Sequence, residues 1–388
     1  MIENWISDKL KNCFKLKSGD GLTSKSMIPG PYPVYGGNGI AGYHSDFNLS
    51  DESVIVGRVG ALCGNARFIN ERIWLTDNAF KIIECKYEFD PVFLQYLLNY
   101  HDLRSYARQT AQPVISNSSL KDIILTFPKS LPEQKRIVEI LDEAFEAIDQ
   151  AKANIEQNIQ NAEELFQSKL NAIFSQKGEG WEEKRLKDIT SKIGSGATPR
   201  GGKDSYKDSG ISLIRSMNVY DDGFVENKLA FIDNEQADKL SNVTIEEGDV
   251  LLNITGASVA RCCVVPTEFL PARVNQHVSI IRLVEGIFYP SFLHYSLISR
   301  INKDRLLGIG EQGATRQAIT KAQIEDFMVS YPKTKAEQKA IINELDIYKS
   351  NSELLVQAYQ AKIYGLEELK KSILQKAFGG ELTGKVGE

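Results

Sequence analysis

Two copies of one segment constrain the architecture of this chain more than any other feature of its sequence. EQKRIVEILD begins at Glu133 and EQKAIINELD begins at Glu337, with six of ten positions identical at an offset of 204 residues. The match continues upstream, where LKDIILTFPK corresponds to IEDFMVSYPK, and downstream, where ELFQSKLNAIFS corresponds to ELKKSILQKAFG. Self-similarity at a fixed offset indicates a repeated structural unit. The chain is therefore predicted to be a tandem duplication.

The beginnings of the two halves are also similar. NWISDKLKN starts at Asn4 and GWEEKRLKD starts at Gly180, which aligns Trp5 with Trp181 at an offset of 176 residues. The second globular part therefore contains 28 more residues than the first. The predicted segments are a first globular domain (1–132), a long helix (133–177), a second globular domain (178–332), and a C-terminal long helix with a tail (333–388).

Each copy of the repeated segment opens a long run with helical periodicity. Apolar residues recur about every 3.5 residues from Ile137 and again from Ile341, and residues 133–176 contain neither proline nor glycine. This pattern predicts two long helices that pack on each other and separate two globular heads. Gly365 interrupts the second pattern. The alternative is two helical hairpins, each packed on its own domain, with a bend in the polar stretch at 154–161.

The globular parts contain short apolar stretches separated by turns, which predict β-strands. Such stretches lie at 53–69 and 79–89 in the first head and at 249–265 and 274–284 in the second. A short helix is predicted after each pair, in DPVFLQYLLNY and in YPSFLHYSLIS. The predicted fold class is α+β, with two β-rich globular domains separated by two long helices.

Composition excludes several classes of protein. The chain is 42% hydrophobic and 25% charged, and no run approaches the roughly 18 apolar residues of a membrane span. MIENWISDKLKN lacks the layout of a signal peptide, so we expect a cytoplasmic protein. The five cysteines form no CxxC pair and the four histidines are scattered, which argues against a disulfide framework and a structural zinc site.

The net charge of -5 argues against a chain that binds nucleic acid through bulk electrostatics. No predicted domain carries a large excess of basic residues. The affinity of the isolated chain for DNA is therefore expected to be modest unless basic residues cluster in space or a partner adds positive charge.

The catalytic motifs that the sequence suggests do not hold. GATPRGGKD at 196–204 resembles a phosphate-binding loop, but its lysine lies one residue too far along and an aspartate replaces the required Ser or Thr. Asp77, Glu84 and Lys86 weakly suggest a nuclease strand, yet a partly exposed strand explains them more simply. PGPYP at 29–33 lacks the polar residue before two adjacent prolines that an adenine-flipping motif requires.

Glycine-rich turns recur in both heads. They are YGGNGIAGY (35–43), GRVGALCGN (57–65), GSGATPRGGK (194–203) and GIGEQGATRQ (308–317). They carry Tyr, Asn, Gln, Arg, Thr and Lys, the side chains that reach base edges and phosphates. Each alone reads as an ordinary turn, but their recurrence at matching places favours a role in recognition.

This layout resembles the specificity subunits of type I restriction-modification systems. The resemblance covers nearly the whole chain and rests on LPEQKRIVEILD with KAEQKAIINELD, on FQSKLNAIFS with KKSILQKAFGGEL, and on GATRQAIT before the second long helix. It implies two target-recognition domains, with the two long helices packed as an antiparallel coiled coil in a pseudo-twofold tandem repeat. It also implies a non-catalytic DNA-binding subunit. Each domain would read one half of a bipartite asymmetric target, and the paired helices would fix the spacer and dock methyltransferase subunits.

The resemblance further implies partners that carry the cofactors. Two methyltransferase (modification) subunits would bind S-adenosylmethionine and methylate adenine, and two restriction subunits would use ATP and Mg for translocation and cleavage. No cofactor or metal is expected on this chain. An arrangement in which the chain serves a fused nuclease-methyltransferase polypeptide stays open.

Polar residues in and beside the loops of the two heads are predicted to contact double-stranded DNA. In the first head these are Tyr35, Asn38, Arg58, Thr76, Asn78 and Gln112. In the second head they are Thr198, Arg200, Lys203, Arg215, Asn218, Thr255, Ser258, Gln276, Thr315 and Arg316.

A different class of protein also fits two related heads with dissimilar loops. That alternative is a coiled-coil adaptor whose heads bind proteins or glycans. Copurification with a methyltransferase and DNA-dependent retention would favour the specificity subunit, whereas a lone chain indifferent to DNA would favour the adaptor.

Overall fold

The structure is a computed structural model that describes residues 4–50, 52–108, 112–311 and 317–382. The chain forms two compact units: the first contains Met1–Glu156 and Gln360–Glu388, and the second contains Gln157–Tyr359. Each unit therefore consists of one globular head and a part of both long helices. Among the described residues, no helix has both the length and the apolar character needed to cross a bilayer.

The first head and the helix that follows it have the following elements in chain order. They are β1 (Trp5–Lys9), α1 (Leu10–Cys13), β2 (Lys15–Ser18), β3 (Tyr32–Gly36), β4 (Gly39–His44), β5 (Ser53–Gly57), β6 (Ala66–Ile69), β7 (Trp74–Leu75), β8 (Ala79–Ile83), α2 (Pro91–Tyr100), α3 (Asn117–Leu120), β9 (Ile124–Pro128) and α4 (Leu131–Gln176).

The second head begins with a strand, a short helix and a strand, as the first head does. Its elements are β10 (Trp181–Arg185), α5 (Leu186–Ile189), β11 (Thr190–Ser195), β12 (Ile211–Ile214), β13 (Val219–Tyr220), β14 (Gly223–Phe224), β15 (Ala230–Ile232), α6 (Asn234–Asp238), β16 (Thr244–Ile245), β17 (Val250–Asn253), β18 (Cys262–Val264), β19 (Ala272–Val274), β20 (Val278–Leu283), α7 (Pro290–Ile298), α8 (Arg300–Glu311), α9 (Lys321–Glu325), β21 (Met328–Pro332) and α10 (Lys335–Phe378).

The sheets of the two heads have matching topologies. In the first head, β2-β8-β5-β6 is antiparallel, β4-β3-β7 contains the parallel pair β3 and β7, and β1 pairs with β9. In the second head, β11-β20-β17-β18 is antiparallel, β15-β12-β19-β16 contains the parallel pair β12 and β19, and β10 pairs with β21. The predicted tandem repeat and α+β fold are therefore confirmed.

The central strand of each head is buried on both faces, which explains why its sequence is a continuous apolar run. Val54 and Val56 of β5 pack in the cluster under α2, whereas Ile55 packs in a second cluster on the opposite face. In β17, Leu252 and Leu251 divide between two clusters in the same way. Side chains alternate across a strand, so a sheet covered on both faces requires apolar residues at every position.

Gln134, in the first repeated segment, connects the start of α4 to the first head through hydrogen bonds. Gln134 is fully buried, and its amide nitrogen donates to the carbonyl oxygens of Glu88 (3.1 Å) and Pro128 (3.0 Å). Its amide oxygen accepts from the backbone N–H of Asp90 (2.8 Å), the residue that caps α2. The side chain thereby satisfies main-chain groups of the head at a buried junction.

Gln338 has the same role in the second unit. It is also fully buried, and it donates to the carbonyl oxygens of Ile287 (3.0 Å) and Pro332 (3.4 Å) and accepts from the N–H of Tyr289 (3.2 Å). The repeated EQK motif thus marks the attachment of a long helix to its head.

The two long helices pack antiparallel within each unit. In the first unit, Asp149 forms an ion pair with Lys370 (3.1 Å) and Lys152 with Glu367 (2.6 Å). Residue numbers that rise along α4 therefore face numbers that fall along α10.

The same antiparallel pairing occurs in the second unit, where Lys169 forms an ion pair with Glu344 (2.5 Å) and the Ser352 hydroxyl donates to the Ala162 carbonyl (2.5 Å). The predicted packing of the long helices on each other is confirmed. The alternative of a bend at 154–161 is wrong because α4 is one helix, and α10 likewise continues through Gly365.

Candidate nucleic-acid interface

The first head contains an open cleft of about 870 Å³, here called the first cleft. Its lining comes from residues 21–24, Met27, residues 36–41, Val59, residues 76–78 and Gln112. The residues come from the segment between β2 and β3, the β3–β4 hairpin, the loop after β5, the turn between β7 and β8, and the segment before α3. The predicted DNA contacts Asn38, Thr76, Asn78 and Gln112, which are far apart in sequence, therefore meet at one surface.

Thr76 and Tyr35 shape the first cleft more than they project into it. Thr76 is only 3% exposed, and its hydroxyl donates to the Tyr35 carbonyl (3.1 Å). The phenol of Tyr35 is half-buried, and burial raises its pKa above the usual value, with a smaller contribution from the charge of Glu71. These residues hold strand β3 beside the turn that follows β7.

Arg58 lies at the edge of the first cleft. Its Nη1 donates to the Asp77 carbonyl (3.3 Å), and its guanidinium lies over the Phe80 ring at 5.5 Å from the centroid. Its Nε is buried without a hydrogen-bond partner among the described residues. The other donors of the guanidinium are fixed in orientation by the stacking, as a base-reading arginine requires.

The second head contains a corresponding cleft of about 430 Å³, here called the second cleft. It is lined by Ser216, Met217, Tyr220, residues 255–258, Arg261 and His277. The predicted residues Thr255 and Ser258 belong to this lining.

A chain of hydrogen bonds connects the second cleft to two further predicted residues. The Thr198 hydroxyl donates to the amide oxygen of Gln276, and the Gln276 amide nitrogen contacts His277 Nε2 (3.1 Å). His277 Nδ1 in turn contacts the Thr255 hydroxyl (2.6 Å). Thr198, Gln276 and Thr255 are therefore brought together by a histidine that the sequence interpretation did not select.

Two other predicted residues of the second head have structural roles. Asn218 is completely buried; its amide oxygen accepts from the Arg215 N–H (3.1 Å) and its amide nitrogen donates to the Val225 carbonyl (2.9 Å). This corrects the expectation that its side chain faces DNA, because its polar atoms are engaged inside the head. Arg215 donates to the Lys228 carbonyl and lies over the Tyr206 ring at 5.3 Å.

Two further predicted residues, Arg200 and Lys203, do not line the second cleft. Arg200 and Lys203 are exposed on the loop after β11, and Lys203 lies within the short helical turn Gly202–Ser205. Thr315 and Arg316 lie outside the described residues. DNA contact by the other selected residues stays a prediction.

Arg261 and Tyr220 of the second cleft were also missed by the sequence interpretation. The Arg261 guanidinium lies over the Tyr220 ring at 4.6 Å from its centroid, and Tyr220 is 37% exposed. An arginine stacked on an exposed aromatic ring is suited to phosphate or base contact. Arg261 lies at the end of a glycine-containing loop after a buried strand, which is the signal that could have selected it.

The same main-chain framework holds the loops in both heads. In the first head, the N–H of Arg58 donates to the Asn78 carbonyl (2.9 Å), and the N–H of Ile115 donates to the Arg58 carbonyl (3.0 Å). The N–H of Gly60 donates to the Pro113 carbonyl (3.1 Å). Two loops, the turn at 76–78 and the stretch at 113–115, therefore converge on the segment that follows β5.

The corresponding bonds occur in the second head. The N–H of Ile254 donates to the His277 carbonyl (2.9 Å), that of Ile319 to the Ile254 carbonyl (2.8 Å), and that of Gly256 to the Gln317 carbonyl (3.0 Å). Gly60 and Gly256 occupy equivalent positions and both have positive φ, at 99° and 72°, a conformation that favours glycine. The two heads therefore present different side chains on one framework.

Two related heads whose clefts carry different side chains, attached to long paired helices, define a tandem recognition protein. The chain belongs to the family of type I restriction-modification specificity subunits: the model of the type I restriction modification DNA specificity domain matches residues 2–161 and 178–362. The resemblance noted from the repeated motifs is therefore confirmed.

Individual relatives agree with this assignment. The chain is 26% identical over 404 residues to the type I restriction enzyme EcoBI specificity subunit of Escherichia coli, which covers 95% of this chain and 79% of that protein. It is 30% identical over 139 residues to the EcoprrI specificity subunit of the same organism, which covers 34% of each chain.

Solved structures show the same fold. A chain from a structure describing complex assembly and conformational transition of the type I R-M system matches with a TM-score of 0.76 and 17% identity, covering 98% of both chains. The HsdS subunit from Thermoanaerobacter tengcongensis matches with a TM-score of 0.60 and 18% identity, also covering 98% of both chains.

Proposed function

We propose that this chain supplies the DNA sequence specificity of a type I restriction-modification complex, and that each head reads one half of a bipartite asymmetric target. The observation that carries this proposal is the shared main-chain framework: equivalent loops are held by equivalent bonds, while the side chains in the clefts differ. One scaffold with two sets of polar side chains is suited to reading two different short sequences.

The chemistry in this proposal belongs to partner subunits. The chain acts as a non-catalytic recognition subunit, and modification subunits bind S-adenosylmethionine and methylate the target. Two modification subunits and two restriction subunits with ATP and Mg are the proposed complement, in the cytoplasm. Asp77 lies in the first cleft and the chain carries a net charge of -5, so the partners are expected to provide much of the phosphate neutralisation.

The long helices are proposed to set the spacer between the half-sites and to dock the methyltransferase subunits. Both helices contribute to both compact units, with the divisions after Glu156 in α4 and after Tyr359 in α10. A change in the number of helical residues between the heads should therefore alter the preferred spacer.

The test is to express the chain with the methyltransferase of its own system and to sequence the methylome of the host. A single bipartite motif is expected, and replacement of Asn38 and Asn78 by alanine should alter only one of its halves. An adaptor that binds proteins or glycans would give neither methylation nor retention on DNA. Family membership does not favour that alternative.

A further inference from the structure

The turn that connects the two sheets of the first head has a buried anchor and an exposed tip. Residues 76–78 form this turn between β7 and β8. The N–H of Thr76 donates to the Tyr35 carbonyl (2.9 Å), and the Thr76 carbonyl accepts from the N–H of Ala79 (3.1 Å). The Thr76 hydroxyl oxygen also accepts from the N–H of Asn78 (3.4 Å). Asp77, the middle residue, is exposed.

The second head has the same turn at residues 275–277, between β19 and β20. The N–H of Asn275 donates to the Ile214 carbonyl (3.1 Å), and the Asn275 carbonyl accepts from the N–H of Val278 (3.3 Å). The Asn275 side-chain oxygen accepts from the N–H of His277 (3.0 Å). Asn275 is 4% exposed, as Thr76 is 3% exposed, and Gln276 occupies the exposed middle position.

Asp77 and Gln276 are therefore structural equivalents, although neither repeat offset in the sequence aligns them. Asp77 lines the first cleft. The Gln276 side chain is hydrogen-bonded to the imidazole of His277, and His277 lines the second cleft. The framework thus places one exposed side chain at the same point of each head.

The Asp77 carboxylate has an unusual environment for a side chain at a DNA-binding surface. The carboxylate forms no ion pair and no side-chain hydrogen bond with residues 4–50, 52–108, 112–311 and 317–382. Arg58 donates to the main-chain carbonyl of Asp77 and not to its carboxylate. A carboxylate repels phosphates and can only accept hydrogen bonds. In the major groove, the available base donors are the exocyclic amino groups of cytosine and adenine. A base edge with such a group is the DNA feature that the carboxylate can bind.

Gln276 has a different capacity because its neighbours orient its amide. Its oxygen accepts from Thr198, and its nitrogen faces His277 Nε2. An amide nitrogen only donates, so Nε2 accepts and the Nδ1–H of His277 donates to Thr255. One N–H and one lone pair of Gln276 are left, and these match N7 and the N6 amino group of adenine.

We propose that Asp77 and Gln276 each determine one base of their own half-site. Asp77 selects a base with an exocyclic amino group, cytosine or adenine, and Gln276 selects adenine. This inference rests on the proposed function and adds the base class that each equivalent position reads.

The test uses the purified complex of the full chain with the methyltransferase of its system. Preferred sequences are selected from random duplex DNA, and the methylome is sequenced in parallel. For Asp77→Ala, discrimination at one position of one half-site should fall about tenfold to a hundredfold, because one base contact is lost. Gln276→Ala should have the same effect in the other half-site. Glu52→Ala is the matched control, since it removes an exposed charge outside the first cleft and should leave the motif unchanged.

Three outcomes overturn the inference while the wild-type complex still selects a bipartite motif. The first is an unchanged motif for Asp77→Ala. The second is that Asp77→Ala changes the same half-site that Gln276→Ala changes. The third is that Asp77→Ala abolishes all sequence preference while the melting temperature of the complex is unchanged. If the wild-type complex itself selects no bipartite sequence, the proposed function fails, and the two failures are therefore distinguishable.

Discussion

Gln134 and Gln338 lie 204 residues apart, and each donates two hydrogen bonds and accepts one from the main chain of its own head. Both side chains are fully buried. Replacement of Gln338 by alanine should leave these main-chain groups unsatisfied and reduce the stability of the second unit by about 2–4 kcal/mol. Chemical denaturation of the full chain measures this change. Gln150→Ala, an exposed substitution on α4, should change stability by less than about 0.5 kcal/mol.

A buried ion pair is expected to stabilise the second head. Arg282 bonds both oxygens of Asp249 at 2.8 Å, and the Asp249 side chain is 0% exposed. The hydrogen bonds that the Arg282 guanidinium donates to the Asp249 carboxylate raise the pKa of Arg282. Arg282→Ala leaves a buried carboxylate unpaired, so a loss of about 3 kcal/mol is expected in urea unfolding.

The matched control for this pair is Arg300→Ala. It removes an ion pair with Asp304 in which the Arg300 side chain is 81% exposed. Its effect should stay below about 1 kcal/mol. Equal losses for the two variants would show that the Arg282 pair adds no more than a surface contact.

The imidazole of His294 should make the second unit sensitive to acid. Burial lowers the pKa of His294 to about 4, and its Nε2 bonds the Asp221 carbonyl (3.0 Å). In the unfolded chain, the histidine has its ordinary pKa of about 6.5, so it binds the proton more readily than in the folded chain between these two values. The stability that neutral His294 contributes to the second unit is therefore complete above about pH 6.5. It declines as the pH falls towards 4, with about 2 kcal/mol lost by pH 5.

Denaturation midpoints of the wild type and His294→Gln at pH 7 and pH 5 measure this contribution. The variant lacks the ionisable group, so its stability should fall less between the two pH values. An identical fall in both proteins would assign the acid sensitivity to other groups.

Arg58 is expected to read a base of the first half-site. Its guanidinium is oriented by Phe80 and by the Asp77 carbonyl at the edge of the first cleft. Arg58→Ala should cost about 1–3 kcal/mol of binding free energy and relax one position of the methylated motif. Methylome sequencing reports the motif; an intact motif and methylation rate would exclude Arg58 from base reading.

The length of the long helices should determine the spacer of the target. Four residues added after Glu156 and after Tyr359 lengthen each helix by about 6 Å, which corresponds to about two base pairs of B-DNA. The half-site sequences should persist while the spacer in the methylated motif becomes longer. A longer helix pair with an unchanged spacer would contradict the proposal.

The sequence predicted the duplication and the long helices well because their signals are local. Helical periodicity from Ile137 and the motif around Gln134 are visible without knowledge of distant contacts. Even so, the glutamine's role could not be read from the motif, since its partners Glu88, Asp90 and Pro128 are brought together only by the fold.

The clefts were less predictable because their residues come from separate loops. Asparagine is a residue type that can read bases, yet the fold buries Asn218, and its amide oxygen accepts a hydrogen bond from the Arg215 N–H. His277 lies beside a selected residue, but its link between Gln276 and Thr255 depends on pairing of β19 and β20 with distant strands. The equivalence of Asp77 with Gln276 required the hydrogen-bond pattern of both heads.

The contacts of Gln134 and Gln338 with main-chain atoms also affect how such a protein can diverge. A carbonyl or an N–H is present whatever side chain its residue carries, proline nitrogen excepted. The neighbouring head residues can therefore mutate without a compensating change in the glutamine. Selection for new target preferences could thus renew one head by mutation or recombination while its anchorage to the helix persists.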